Sequence, residues 1–317
     1  MSYAQFGLVE ATDFNTLAGG NPTSTANTLN VTWATGSGQA GYGQTAVANV
    51  ASGQTVSATN WAAMVNNTAS AASHQGSSIT AVTAPVAGGI VTYLAAIPTN
   101  LQTIYTSRGN AATQGTTTSN TTTNSSTAWT DYANFTFTTT FANGDAARYF
   151  FNAGGQLKFT CSHSNTDAGI NSAFNALATA TGTVVISGQN SGSRTIVGVS
   201  YNGVTKVGGS GSTETLSTNS GYFGLSTANT LIFDQNSGTA PYTATVQIQY
   251  LARTNGVQGS NADNGSVVTV HCLFDKISGN GTVGTGSSVT CTLVPPEQTN
   301  ISNTWGTVTL AGSVTAS

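Results

Sequence analysis

Beyond Trp129 the chain consists of short runs in which every second residue is apolar, broken by glycine and asparagine. A period of two marks half-buried strands, whose side chains point alternately to core and solvent. It predicts strands at 133–141, 156–161, 183–187, 194–201, 204–207, 230–233, 242–251, 266–274, 288–294 and 307–310. Tyr242, Ala244, Val246, Ile248 and Tyr250 make the cleanest alternation. Asn202-Gly203 reads as a two-residue hairpin turn of the type I′ class, because both residues tolerate positive φ. Ser220-Gly221, Asn264-Gly265 and Asn280-Gly281 punctuate other strands. One short helix is expected at 171–180, carrying Phe174 and Leu177. Many short strands with glycine turns predict an antiparallel β-sandwich, jelly-roll-like.

The pattern before residue 110 is different. Val9, Ala11, Thr12, Asp13, Phe14 and Leu17 are matched by Val56, Ala58, Thr59, Asn60, Trp61 and Met64, and Tyr3-Ala4-Gln5 and Tyr42-Gly43-Gln44 stand upstream of the two copies. Each copy reads as a helix start with Thr12 or Thr59 as the N-cap. The first helix ends near Gly19, and the second continues along a stripe of Trp61, Val65, Ala69 and Ala72 to about His74. Trp33 and the glycine-rich 36–43 read as a loop. A third helix is expected at 98–108, opened by Pro98, with the apolar run at 90–97 as an upstream extension. Residues 111–128 are rich in Thr, Ser and Asn and nearly devoid of apolar side chains, which predicts a linker or extended surface segment. The chain is therefore mainly β with a helical and irregular N-terminal region. Its predicted divisions are an attachment region with an internal duplication at 1–110, the linker at 111–128 and the sandwich at 129–317.

The first two sandwich strands are joined by a stretch unlike the rest. Phe135, Phe137 and Phe141 alternate into Asn143-Gly144, which turns the chain. Asp145 is placed to cap a short helix at 146–152, and Gly154-Gly155 stops it. Arg148 and Lys158 are two of only seven basic residues in the chain, so their use here predicts a specific pairing, with Asp145 the local partner for Arg148. Asp145, Arg148, Tyr149, Phe150, Phe151, Gly154 and Gly155 are accordingly the candidate structural and assembly residues.

Composition narrows the functions. Only 5% of residues are charged, against about 25% in ordinary soluble proteins, and the net charge is −3. With no basic run, binding to nucleic acid through its phosphates is not expected. No segment has the charge and apolar pattern of a signal peptide, and no apolar run is long enough for a membrane span, so synthesis in a cytosol and release by lysis are expected. Cys161, Cys272 and Cys291 read as small buried hydrophobes, without a disulfide.

Catalytic material is sparse. His163 and Asp167 repeat the spacing of His271 and Asp275, but on a strand residues four apart are about 13 Å apart, too far to share a metal. No nucleophile elbow appears. Gly208-Gly209-Ser210-Gly211 lacks the Lys-Ser/Thr of a phosphate loop. Residues 261–265 have some look of a calcium loop but lack its alternating carboxylates. No catalytic residue, cofactor or metal is expected.

The segment G-D-A-A-R-Y-F-F-N-A-G-G-Q-L-K-F at 144–159 resembles virion structural proteins of tailed bacteriophages, those of marine and cyanobacterial phages above all. The opening at 2–7 and 11–15, Gly41-Tyr42-Gly43-Gln44 and the segment 301–306 resemble the same group. The resemblance implies a structural component of a phage particle and does not say where in the particle; the leading expectation is a non-enzymatic, homo-oligomeric virion protein, tail-associated or fibre-like. Its expected partners are copies of itself, as a trimer if fibre-like, and other virion proteins. The other readings are a host-surface or glycan-binding module using exposed Tyr and Trp as platforms, a capsid decoration protein and, last, a polysaccharide-cleaving enzyme.

Overall fold

The computed structural model describes residues 10–19, 28–88, 95–116, 121–190, 192–212, 215–236 and 246–317. The Tyr3-Ala4-Gln5 element, the segment 2–7 of the phage resemblance, most of the run at 90–97 and the beginning of the strand expected from Tyr242 fall outside these residues.

The N-terminal region holds α1 (Ala11–Ala18), α2 (Leu29–Trp33), α3 (Ala58–Gln75) and α4 (Ala96–Thr106). The internal repeat turns out to be a repeated capping box. Glu10 and Asp13 exchange side-chain and backbone bonds at the start of α1, and Ser57 and Asn60 do the same at the start of α3. The caps are thus Glu10 and Ser57, not Thr12 and Thr59, because the box needs its reciprocating side chain three residues on. The aromatics of the two copies meet: Phe14 and Trp61 pack edge to face, 5.3 Å apart. Both helices end in left-handed glycines, Gly19 and Gly76. The buried stripe of α3 runs through Trp61, Met64, Val65, Thr68 and Ala72, and Ala69 is exposed instead. Trp33, expected in a loop, closes the short α2. Helix α4 begins two residues before Pro98, which still sits in the first turn, where its missing N–H is not needed.

The remainder is a sandwich of antiparallel ladders. Its strands are β1 (Thr121–Ser125), β2 (Tyr132–Thr140), β3 (Gln156–His163), β4 (Thr183–Ile186), β5 (Arg194–Ile196), β6 (Val199–Tyr201), β7 (Val204–Val207), β8 (Thr215–Leu216), β9 (Thr230–Asn236), β10 (Val246–Thr254), β11 (Val267–Lys276), β12 (Ser287–Val294) and β13 (Thr309–Ala316). Helix α5 (Gly144–Asn152) joins β2 to β3, and α6 (Ile170–Thr181) joins β3 to β4. One sheet runs β1-β12-β3-β4-β7, the other β13-β2-β11-β10-β9-β8, and β5 and β6 pair alone. Consecutive strands β1, β2 and β3 alternate between the sheets, and β11 and β12 alternate on the return, the interleaving that a jelly roll uses. The inward residues meet as an aromatic core: Phe137 of β2 lies 5.8 Å from Phe159 of β3, which lies 5.9 Å from Tyr250 of β10. Phe174 of α6 fills one part of this core, 5.1 Å from Trp129 and 5.7 Å from Phe274.

Three local expectations are corrected. The strand expected at 194–201 is a small hairpin, β5–β6, turned at Val197-Gly198 with both φ positive at 49° and 73°. Asn202-Gly203 is not a hairpin turn, because β6 pairs with β5 and β7 with β4; Gly203 is required there because a Cβ would overlap the backbone of Gly221 and Gln189. The linker expected at 111–128 is tied down over its described residues. Ala111 is buried and bridges to Ile196, Gln114 bridges to Pro296, and β1 pairs along its whole length with β12. Thr, Ser and Asn give little apolar burial, but their backbone groups can still extend a sheet.

Candidate functional site

Helix α5 is the junction of the molecule. Asn143, not Asp145, caps it, its side chain accepting from the Ala146 N–H at 2.8 Å. Asp145 in the first turn is free to hold Arg148, and does so at 3.0 Å, while its other oxygen accepts from Asn261 at 2.9 Å. Arg148 is fully buried, and the guanidinium also donates to Ala40 O and Thr35 O, both at 2.7 Å. Asn152, one turn on, donates to Gly38 O, Ala40 O and Gly41 O. Two side chains of one helix therefore hold the glycine-rich loop of the N-terminal region, whose Gly36, Gly38, Gly41 and Gly43 all adopt positive φ. The close approach depends on glycine at Gly43 as well, where a Cβ would overlap the Tyr149 ring. Burial and the nearby Asp145 carboxylate push the Tyr149 phenol up, and its ring carries the Arg148 guanidinium at 4.7 Å.

The opposite face of α5 is apolar. Phe150 packs on Phe141 at 5.2 Å and on Trp305 at 6.4 Å, and Phe151 stacks on Tyr222 at 4.6 Å. Gly154 lies against Ala111 and Gly155 against the Phe150 ring. All seven candidate residues thus fall in one place. What the sequence did not reveal is that α5 gathers parts of the chain far apart in order. Asn143 and Asn152 were missed because asparagine is frequent throughout and neither shows a distinguishing spacing.

A strap at 295–306, between β12 and β13, completes the junction. Gln44 exchanges two hydrogen bonds with the backbone of Ser302, both 2.9 Å, and Thr304 donates to Tyr42 O. Buried Glu297 pairs with buried His74 at 2.9 Å. Burial alone would raise the Glu297 pKa; the bonds from His74 and from the Thr299 and Asn300 N–H groups overcome it and hold the carboxyl at about 2.

Elsewhere, groups with chemical potential are structural. Ser287, His163 and Asn171 form a hydrogen-bonded row, 2.9 and 3.2 Å, that looks like a Ser-His-Asn constellation. Ser287 is fully buried, and burial pushes the His163 pKa down. Burial also pushes all three thiols up, Cys161 to about 11, and all three are unpaired as disulfides. Asp263 in the 261–265 loop accepts from the Gln258, Gly259 and Gly265 N–H groups; burial opposes ionisation, but these bonds prevail and lower its pKa. Among the described residues no cluster of His, Cys, Asp and Glu has the geometry to hold a metal. A cavity of about 470 Å³ between α3, the segment 77–82 and the start of α4 is lined by Met64, Val65, Ile79, Val82 and Ile97 among others, and by no titratable side chain. Of the expected aromatic platforms, Trp33, Trp61, Trp129 and Trp305 are buried; among the described residues Tyr132 is exposed and Tyr105, Tyr149 and Phe223 are partly so. No helix among the described residues is long and apolar enough to cross a membrane.

The chain matches no protein-family model, no curated protein and no solved structure.

Proposed function

We propose that the chain is a structural component of a tailed-phage virion, homo-oligomeric and tail-associated or fibre-like, that works without catalysis. The observation that carries this reading is the use made of α5. The stretch that resembles virion proteins is the one whose charged and amide side chains are consumed in joining the N-terminal region to the sandwich. A catalytic segment keeps reactive groups open to a substrate. Arg148, Phe150 and Phe151 are instead sealed inside. A charge-poor surface built on a β-sandwich is consistent with a repeated particle subunit. Burial of all four tryptophans removes them as stacking surfaces for the glycan-binding alternative.

The test is quantitative mass spectrometry of purified particles, with antibody labelling of intact virions in the electron microscope. The expected result is a fixed copy number per particle and label on the tail. Label on the capsid surface would make it a decoration protein. Absence from particles, with the chain abundant in infected cells, would overturn the reading.

A further inference from the structure

Of the described edge strands, β13 is the longest and carries neither charge nor proline; β1 of the facing sheet comes close to it but does not pair with it. A sheet edge presents unpaired N–H and C=O groups, and proteins blunt such edges with charge, proline, bulges or short length. Edge strand β8 has two residues, and edge strand β7 carries Lys206. Edge strand β1 has five residues. By contrast β13 has eight, Thr309-Leu310-Ala311-Gly312-Ser313-Val314-Thr315-Ala316, with no charge and no proline, and its register with β2 is unbroken. Among the described residues nothing pairs with its outer side.

The strand is also complementary to itself. The Ser317 N–H donates to Tyr132 O in the continuation of the β13–β2 ladder. Hydrogen-bonded positions alternate along an antiparallel pair, so 309, 311, 313 and 315 face β2 and 310, 312 and 314 present their backbone groups outward. A second β13 laid antiparallel about Gly312 bonds through those outward residues. It sets Leu310 against Val314, Ala311 against Ser313, Thr309 against Thr315 and Gly312 against its own copy. Leu310 and Val314 are only half-buried, packed against the edge of the core, and each would cover the other's open side. Thr meets Thr, Leu310 meets Val314 and Gly312 meets its own copy, only Ala311 and Ser313 differ in kind, and no charge opposes the contact.

We infer that β13 is a homodimer interface, at which two copies pair their edges about a two-fold axis through Gly312 and continue the six-stranded sheet across both subunits. Such a contact closes on itself as a dimer, not as the three-fold assembly of a fibre. It does not rest on the virion reading.

The test uses the full chain in sedimentation equilibrium, with thermal melting to verify folding. The parent should be a dimer. Gly312→Lys and Gly312→Glu should each be folded monomers, since like charges directly opposite in a ladder repel. Mixed in equal amounts they should recover a dimer holding one copy of each, a result that requires residue 312 to meet itself. A monomeric or trimeric parent would overturn the inference. So would variants that remain dimers alone, or a mixture that stays monomeric while both variants melt as folded proteins.

Discussion

In the sandwich, backbone groups find other backbone: β2 is flanked by β11 on one side and β13 on the other, in full ladders. Around α1–α4 the described residues include extended segments with no described strand beside them. There, side-chain amides stand in for the missing strand. Asn30 brackets Val47 with two bonds, Asn15 brackets Val50, and Asn100 brackets Thr80, each through its carbonyl and its amino group at 2.9–3.0 Å. Both arrangements satisfy the same need, since a buried N–H or C=O without a partner is costly. They differ in how they fail. A ladder shares its bonds among many residues and yields as a unit, whereas an amide clamp hangs on one side chain. The N-terminal region should therefore open locally, piece by piece, while the sandwich melts as a whole.

The largest effect should come where the regions share a core. Phe150→Ala, at the contact of α5 with Phe141 and Trp305, should cost about 3–5 kcal/mol and lower the melting of both regions together. Separate transitions in that variant would show that α5 does not couple them.

Asp145→Ala comes next. It leaves the buried Arg148 guanidinium with carbonyl partners alone. Breaking a buried pair costs about 3–5 kcal/mol, and the partial exposure of Asp145 puts this change near the lower end. Hydrogen exchange should quicken first in the loop that Arg148 holds. Exchange rates there equal to the parent's would remove Arg148 as its anchor.

The strap gives a pH-dependent version of the comparison. A carboxyl held at about 2, below its ordinary 4.5, stabilises the fold above 4.5 and loses that contribution as pH falls toward 2. Acid should thus loosen the strap from α3, and Glu297→Gln should flatten the melting-versus-pH curve over that window. An unchanged curve would assign the acid sensitivity to other carboxylates.

Asn30→Ala should cost about 1–3 kcal/mol, raising exchange at Val47 while leaving β2 and β11 as protected as before. Smallest is Ser57→Ala at the second capping box, about 0.5–2 kcal/mol by the melting of α3. If either change melts the sandwich to the same degree, the two regions are one cooperative unit and the contrast between clamp and ladder fails.

Much was legible in the residues themselves. Alternation located β2, β3, β11 and β12 to within a few positions, because a half-buried strand must write its two faces into successive side chains. The repeat at 9–17 and 56–64 announced two helix starts, since a capping box is local chemistry. The Asp145–Arg148 pair was readable because its members sit one helical turn apart. Where local signals misled, a long-range partner had decided. Asn202-Gly203 has the residues of a hairpin, but β6 and β7 found other strands. Strand β1 has no apolar alternation to read, and it exists because β12 offers it an edge. The carbonyl partners of Arg148 lie 108 and 113 residues away, and nothing in their own side chains marks them, since a carbonyl belongs to every residue alike. The sequence by itself determined the elements, their faces and the existence of a helix between β2 and β3. Tertiary structure alone decided which loop Arg148 and Asn152 would hold, which extended segments the asparagines would bracket, and which edge was left open. Those choices rest on backbone groups brought together by the fold, and backbone groups carry no sequence.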